Sequence, residues 1–373
     1  MAISPRTPPR IDGPLDAAYL RGALRRAGRS TPVEGRLETS ELTGGRTGTR
    51  VTAIRPAEGG PRFVLKVIPR ERGLTRGLGN DGEGAFWLAG TTRDLPDPLL
   101  NPTLDVALHE AEDAWWVLMD DLSPGIVPRD GWTSSHTRRL FEGLAALHAT
   151  HWEDDASLLG TLEGSTRVFV EPMVYVATGE ARAPEPWVPR VADEFPVPRL
   201  FLPTFLEVLG KRDAAFLIAA GERWPDLVTA LQAHPTTALH GDPRRANISF
   251  LDGRVGLFDW ELASRGPAAV DLTWHWFLHY WAYPPDDSHP DDRLWLREAY
   301  LDRLEELLGH PIDRERFGVA WDLGWLRVFL QLGFVLVDPL TSPDPPPEQV
   351  DRVKARCREA ATRARRIVDA HVG

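Results

Sequence analysis

Apolar positions set the elements along this chain. Leu15, Ala18, Leu20 and Leu24 are spaced for one helical face, which predicts a short helix over residues 16–26. Runs of apolar and β-branched residues then predict strands over 36–40, 50–55, 62–68, 105–110 and 114–119, the last two joined by a tight turn at Glu112-Asp113. From there the spacing becomes helical. Leu140, Leu144, Leu147 and His148 share one face over 137–151, and further helices are predicted over 200–221 and 224–233. Two short strands, 248–251 and 255–258, interrupt the series. A helix rich in aromatics (Trp274, Trp276, Phe277, Tyr280 and Trp281) starts at Asp271, and helices over 294–308, 314–337 and 347–370 close the chain. The stretch 181–203 carries prolines at 184, 186, 189, 196, 198 and 203, which predicts a long ordered loop or lid and not a helix. Strands followed by helices, with no internal repeat, read as an α+β protein.

Composition narrows the class. A chain of 373 residues is long enough for more than one core, and 42% hydrophobic with 26% charged residues is ordinary for a globular protein. No apolar run in the sequence reads as a membrane span, and the polar, proline-rich residues 1–16 do not read as a signal peptide. The single cysteine, Cys357, excludes an internal disulfide and a cysteine-based zinc site. A cytoplasmic location is the default expectation. The formal net charge of −11 argues against nonspecific nucleic-acid binding and favours, weakly, a cationic substrate.

The candidate chemistry is concentrated in Leu239-His240-Gly241-Asp242-Pro243-Arg244-Arg245-Ala246-Asn247-Ile248 and in Leu257-Phe258-Asp259-Trp260-Glu261. An Asp with an Asn five residues on, then a second Asp closing an apolar strand, is the arrangement used for transfer of a nucleotide γ-phosphoryl group. One carboxylate orients the attacking hydroxyl and takes its proton, while an amide oxygen and the second carboxylate hold magnesium against the phosphates. The plainer alternative is a β-hairpin whose polar residues only decorate a loop. At these residues the chain resembles the aminoglycoside phosphotransferase and choline kinase superfamily, small-molecule kinases with a protein-kinase-like fold. Gly241 in place of the protein-kinase Arg, and Trp260 with Glu261 after the second Asp, look like the small-molecule branch.

The resemblance implies a two-lobed fold. Residues 1–119 would form a small N-lobe around a five-stranded antiparallel sheet, 120–122 a hinge, and 123–373 a larger, mainly helical C-lobe. It implies Mg2+ as cofactor and ATP or GTP as co-substrate. Asp242 would be the base, Asn247 and Asp259 the metal ligands, and Lys66, alone in the apolar strand Phe63-Val64-Leu65-Lys66-Val67-Ile68, the group on the α- and β-phosphates. Glu83 is the expected partner of Lys66 and Glu71 the alternative, although Gly77, Gly79, Gly82 and Gly84 make a poor helix start around it. The glycine-rich hairpin at 43–49, with Gly44, Gly45, Thr47 and Gly48, resembles a nucleotide-covering loop; a plain surface hairpin is the other reading. Met119, Asp120 and Leu122 would flank the base, recognised by main-chain groups.

The resemblance implies a small-molecule hydroxyl acceptor whose identity is not readable: an aminoglycoside or other antibiotic, an amino sugar, a choline-like alcohol or another metabolite, with the acidic balance favouring an amine. A nucleotide-binding pseudokinase without turnover is the rival class. The 181–203 stretch and one or two aromatics of the helix from Asp271, Trp276 and Trp281 among them, are candidate pocket walls; the alternative for the aromatics is core. The acidic loop at 284–292 either reaches the acceptor or is a solvated turn. Arg244 either neutralises developing charge or forms a salt bridge, and His240 packs and holds the loop. His148 and His151 are read as packing positions and not as a metal pair. Ala183-Pro184-Glu185 precedes the catalytic loop, in the wrong order for the protein-kinase triplet, and is treated as chance. Oligomeric state is not legible.

Overall fold

The strand around Lys66 shows how sequence period becomes architecture. In Phe63–Pro69, Phe63, Leu65 and Val67 point to one face of the sheet, and Val64, Lys66 and Ile68 to the other. In the computed structural model, which describes residues 6–42, 49–79, 82–154, 159–179, 185–286, 288–342 and 344–372, this strand lies inside a six-stranded sheet. The strands are β1 (Arg10–Ile11), β2 (Leu37–Glu41), β3 (Arg50–Pro56), β4 (Phe63–Pro69), β6 (Thr103–His109) and β7 (Ala114–Asp120), in the order β1-β6-β7-β4-β3-β2. The short strand β5 (Leu99–Leu100) belongs to another sheet. The expectation of a five-stranded, wholly antiparallel sheet is corrected: five strands pair antiparallel, and a sixth, β1, pairs parallel to β6 at one edge. Two residues flanked by prolines carry too little periodicity to announce a strand.

Each face of the sheet has its own helix. Helix α1 (Ala17–Arg26), capped by the Asp16 side chain, buries Leu20 and Leu24 against Phe63, Leu65 and Leu118. Helices α2 (Gly73–Leu78) and α3 (Glu83–Ala89) follow β4, and α3 sets Trp87 and Leu88 against Ile68, Val106 and Val117 on the opposite face. Lys66 therefore faces α3 by strand parity alone.

The rest of the chain is mostly helical: α4 (Ser134–Thr150), α5 (Leu162–Ala177), α6 (Trp187–Glu194), α7 (Val197–Glu222), α8 (Trp224–Gln232), α9 (Ala269–Trp276), α10 (Trp295–Leu308), α11 (Arg314–Leu332) and α12 (Pro347–His371). Strands β8 (Gly160–Thr161), β9 (Thr237–Leu239), β10 (Ile248–Leu251), β11 (Arg254–Leu257) and β12 (Ser264–Gly266) make two small sheets, β10-β11-β5 and β8-β12-β9. The chain from β9 to β12 carries the motif residues between them.

Two further expectations need correction. The proline-rich stretch 181–203 is helical where described: α6 and the start of α7 lie inside it. Pro186 and Pro196 are helix N-caps, and Pro198 sits in the first turn of α7, where a missing N–H costs no bond; Pro184 is outside the described residues. The helix predicted over 314–337 stops at Leu332 and continues as a 3-10 segment, Gly333–Thr341. Together Arg314–Thr341 is long and apolar enough to cross a membrane, with mean hydropathy 1.5, but 83% of that window is buried in the molecule. It is a core element, with Trp321, Trp325 and Phe329 packed on Trp276, Trp281 and Phe277.

Candidate active site

The strand β4 and helix α3 bring Lys66 Nζ 2.7 Å from Glu83 Oε2, and the turn after β11 brings Asp259 Oδ1 to 2.5 Å from the same ammonium. Burial would lower the Lys66 pKa, but the charges of Asp259 and Glu83 hold it above its ordinary value. Gly82, at φ +74°, is the N-cap of α3, so the glycine that weakens the helix start also supplies a left-handed entry to it. Glu71 does not reach Lys66; it pairs with Arg76.

Asp259 itself adopts φ +68°, ψ +58°, a left-handed conformation that Asp tolerates better than most residues. That turn aims its carboxylate back across the cleft. Burial raises its pKa, yet Lys66 and Arg244 outweigh this and hold it down at about 2. Asp242 responds oppositely: burial and the charge of Asp259 raise it against Arg244, His240 and a hydrogen bond from Trp274. The two carboxylates thus differ, one firmly ionised and one better suited to take a proton.

Asp242 is held at both oxygens. Trp274 Nε1 donates to Oδ1 at 2.6 Å, and Asn247 Nδ2 donates to Oδ2 at 2.9 Å and to the Asp242 carbonyl at 3.0 Å. Arg244 Nε lies 3.1 Å from Asp242 Oδ2 and its Nη2 3.9 Å from Asp259 Oδ2, bridging the pair. The loop is pinned from below by Asp271, fully buried at the start of α9, whose Oδ2 and Oδ1 accept the His240 and Gly241 N–H at 2.8 Å each. Gly241 has φ +85°, and a Cβ there would run into the Leu262 carbonyl, so no other residue fits without rebuilding the loop. His240 donates its Nε2–H to the Phe258 carbonyl, 3.1 Å away, and packs on Trp260. His148 Nδ1 bonds the Tyr300 hydroxyl at 2.7 Å and its Nε2 lies 3.4 Å from Asp271, a packing network below the loop.

These side chains open into one cleft of about 750 Å3. Val51, Val64, Met119, Asp120 and Leu122 line the wall nearest the sheet. Asp120 and Asp121 already donate their main-chain N–H to Pro102 and Arg62, and the Leu122 carbonyl accepts the Ser249 hydroxyl. Gly44, Gly45, Thr47 and Gly48 lie outside the described residues; Thr49, at the end of that hairpin, lines the cleft. Trp276 and Trp281 do not reach the cleft. Both are core, against Trp321 and Trp325, while Trp274, His275, Leu278, His279 and Tyr283 of the same segment line it. The 284–292 loop is tied up locally, with Asp286 on Arg293 and Asp291 on Arg363.

No sequence signal announced two further contacts. Arg72 and Glu261 form a buried ion pair beside Asp259, and burial pushes Arg72 down to about 10 despite nearby Glu194, Asp259 and Glu83. The Trp274 bond to Asp242 joins residues 32 apart in sequence.

The phosphotransferase enzyme family model matches residues 40–307, a span that takes in every one of these groups. The chain belongs to that family. Among solved structures, choline kinase from Cryptosporidium parvum Iowa II superposes with a TM-score of 0.54 at 11% identity, over 95% of this chain and 97% of that one. A protein of Ralstonia eutropha JMP134, provisionally described as an aminoglycoside phosphotransferase, gives 0.50 at 14% identity, over 95% and 99%. An aminoglycoside phosphotransferase of Streptomyces rimosus gives 0.43 at 19% identity, over 85% and 95%. At such identities the likeness is one of fold. No curated protein matches the sequence. In this phosphotransferase family member the cleft holds one anionic carboxylate beside a lysine, and one carboxylate of raised pKa beside an arginine.

Proposed function

We propose that the chain transfers the γ-phosphoryl group of ATP or GTP, with Mg2+, to a hydroxyl of a small molecule. The observation that carries this reading is the convergence of Lys66, of Asp242 with Asn247, and of Asp259, from three separate segments, in one cleft. Residues 1–119 and 123–373 would act as lobes about the 120–122 hinge, with the base between Val51, Val64 and the main chain of Met119 to Leu122.

The residues suit a hard divalent cation. Asn247 spends its Nδ2 on Asp242, so its amide oxygen is the end left for a ligand, and Asp259 is anionic across the working pH range. Among the described residues no cluster of three or more His, Cys, Asp or Glu forms a cage for a metal. The ion would be held by one carboxylate, one amide and the nucleotide phosphates. When bound, magnesium neutralises charge between the phosphates. Lys66, freed from part of its hold on Asp259, would take the α- and β-phosphates, kept in line by Glu83. Asp242 would orient the acceptor hydroxyl and take its proton, its own orientation fixed by Trp274 and Asn247. Arg244 would offset charge developing on the transferred group, since it spans both carboxylates.

The test is nucleotide consumption with magnesium across a library of hydroxylated small molecules: acceptor-dependent ADP or GDP release supports the reading. Tight nucleotide binding with no turnover for any acceptor would move the assignment to a nucleotide-binding pseudokinase. The proteins of similar fold include a choline kinase, so choline-like alcohols belong in that library beside aminoglycosides and amino sugars.

A further inference from the structure

On the far side of Asp242 and Asp259 from the sheet, the cleft wall changes character. It is built from Phe169 of α5, Phe195 between α6 and α7, Val197 of α7, Leu278, and Leu332 with Val335. Arg244 lines the cleft too, but it is paired with Asp242 and lies near Asp259, so beyond these carboxylates and Glu261 the charged groups here are the cations Arg129 and Arg245 and the carboxylate Asp338 of the 333–341 segment. A wall of this kind suits an apolar body and offers an ammonium group two arginines against one carboxylate. The net charge of −11 is a property of the whole surface and is not repeated here.

One side chain in this wall points to a ligand. His279 is 2% exposed, lines the cleft, and neither of its ring nitrogens has a hydrogen-bond partner among the described residues. An unsatisfied buried polar group is costly to the fold, and such groups persist at functional sites. His279 lies in Phe277–Ala282, where the α9 helix widens into a π-turn, a local departure found often at binding sites. Its neighbour His275 is satisfied, on the Pro243 carbonyl at 2.9 Å, which ties this helix to the loop bearing Asp242. Burial, then His275, Arg245, Arg293 and Arg129, hold the His279 pKa down at about 2, so the ring is neutral and offers one donor and one acceptor.

We propose that the acceptor is an apolar-bodied, hydroxylated molecule without a cationic amine, and that His279 reads a neutral polar group on it. This rests on the phosphotransfer reading for the existence of an acceptor, but recognition is tested separately from turnover. His279 is a binding residue for specificity; Asp242 remains the base.

The experiment uses the full-length chain with magnesium and the non-hydrolysable nucleotide AMP-PNP. The probes are matched pairs: apolar aryl and macrocyclic alcohols carrying a neutral amide, and the free amines of the same skeletons, with streptomycin as a polycation. Calorimetric binding is expected for neutral members, at least tenfold tighter than their amine partners. His279→Phe should weaken the neutral probes roughly threefold to tenfold, the loss of about one hydrogen bond, and leave nucleotide affinity unchanged. His279→Gln should restore most of it. Arg245→Ala should narrow the gap between neutral and amine members. Tighter binding by the amines or streptomycin, binding of no probe, or equal affinities in His279→Phe with an unchanged unfolding temperature, each overturns the proposal. Neutral probes that bind as expected, but are not phosphorylated with ATP, uphold this inference and overturn only the kinase reading.

Discussion

Asp271 allows the catalytic loop to be tested without touching a reacting group. Its two oxygens accept the His240 and Gly241 N–H, each at 2.8 Å, and it is fully buried. In Asp271→Asn the amide can satisfy one of these donors, while its NH2 faces the other. The loss is one hydrogen bond to a charged group, about 1.5–3 kcal/mol, with a donor left facing a donor. A total of about 3 kcal/mol is expected. Unfolding entropy scales at about 2.1 cal/mol/K per residue, so 373 residues give roughly 0.8 kcal/mol/K and a Tm shift near 4 °C. The loop carries Asp242 with it, and misplacement of about 1 Å costs on the order of 100-fold in rate. The expected result is a folded protein, lower in Tm by a few degrees, with kcat down one to two orders of magnitude and nucleotide affinity little changed. Calorimetric scanning, nucleotide titration and steady-state kinetics check this together. Wild-type kcat in a variant that has lost 4 °C would refute the anchoring argument, because the bonds would then serve stability alone. An unchanged Tm would show that the two N–H groups find other partners.

The remaining outcomes follow from the same geometry. Lys66→Ala should raise the nucleotide KM and lower kcat, read by steady-state kinetics at varied nucleotide, because it removes the cation shared by Glu83 and Asp259. Asp259→Ala should weaken nucleotide binding in magnesium buffer far more than in EDTA; equal losses by calorimetry would remove the metal role. Arg72→Met strands Glu261 without its buried partner and should cost about 3–5 kcal/mol in denaturant unfolding, whereas Arg72→Met with Glu261→Leu should recover much of it. Asp242→Asn should lose roughly 10²–10⁴-fold in kcat while still binding magnesium–nucleotide; it can keep only one of the two bonds from Trp274 and Asn247, so a small fall in Tm is expected as well. In wild type the acid limb of kcat/KM is expected above the ordinary aspartate pKa of about 3.9, since the raised pKa of Asp242 delays loss of its proton as pH climbs. The Asp259 contribution to stability runs the other way: its pKa of about 2 lies below the unfolded value, so that stability is present above about pH 3.9 and is lost as pH falls toward 2.

The elements legible in the sequence were those whose signal is local. The apolar strand around Lys66, the short helix starting near Asp16, and the Asp-to-Asn offset between 242 and 247 each lie within one element or one loop, and the structure forms that strand and helix and brings Asp242 and Asn247 together. Glu83 was identifiable because the cation on β4 needs an anion from the next helix. The failures were equally physical. Proline count was taken for loop over 181–203, yet Pro186, Pro196 and Pro198 occupy cap and first-turn sites, where proline is compatible with a helix start. Strand β1 is two residues long and owes its pairing to the β6 edge, a tertiary cause. Trp281 could not be sorted from Trp274 by spacing, because the π-turn after Trp276 shifts which residues face the cleft, whereas Trp276, two positions after Trp274 in the regular helix, falls on a different face.

The same distinction explains why the residues proposed to hold nucleotide carried a signal in the sequence and those proposed to hold the acceptor did not. Phosphate and magnesium impose a fixed set of charged groups at fixed offsets, so their residues carry a signature in the chain. An acceptor of unspecified shape imposes none. Its wall is assembled from Phe169, Phe195, Val197, His279 and Val335, drawn from segments up to 166 residues apart, and each of these looks in sequence like an ordinary core residue. Whole-chain charge was the available sequence proxy, and it pointed to an amine. Carboxylates such as Asp286, Asp291, Asp302 and Glu305 are paired with arginines on the surface, while the cations Arg129 and Arg245 line the cleft. Net charge therefore measures the solvent face of this protein and does not report the charges that line the cleft, where Arg129 and Arg245 stand beside Asp338.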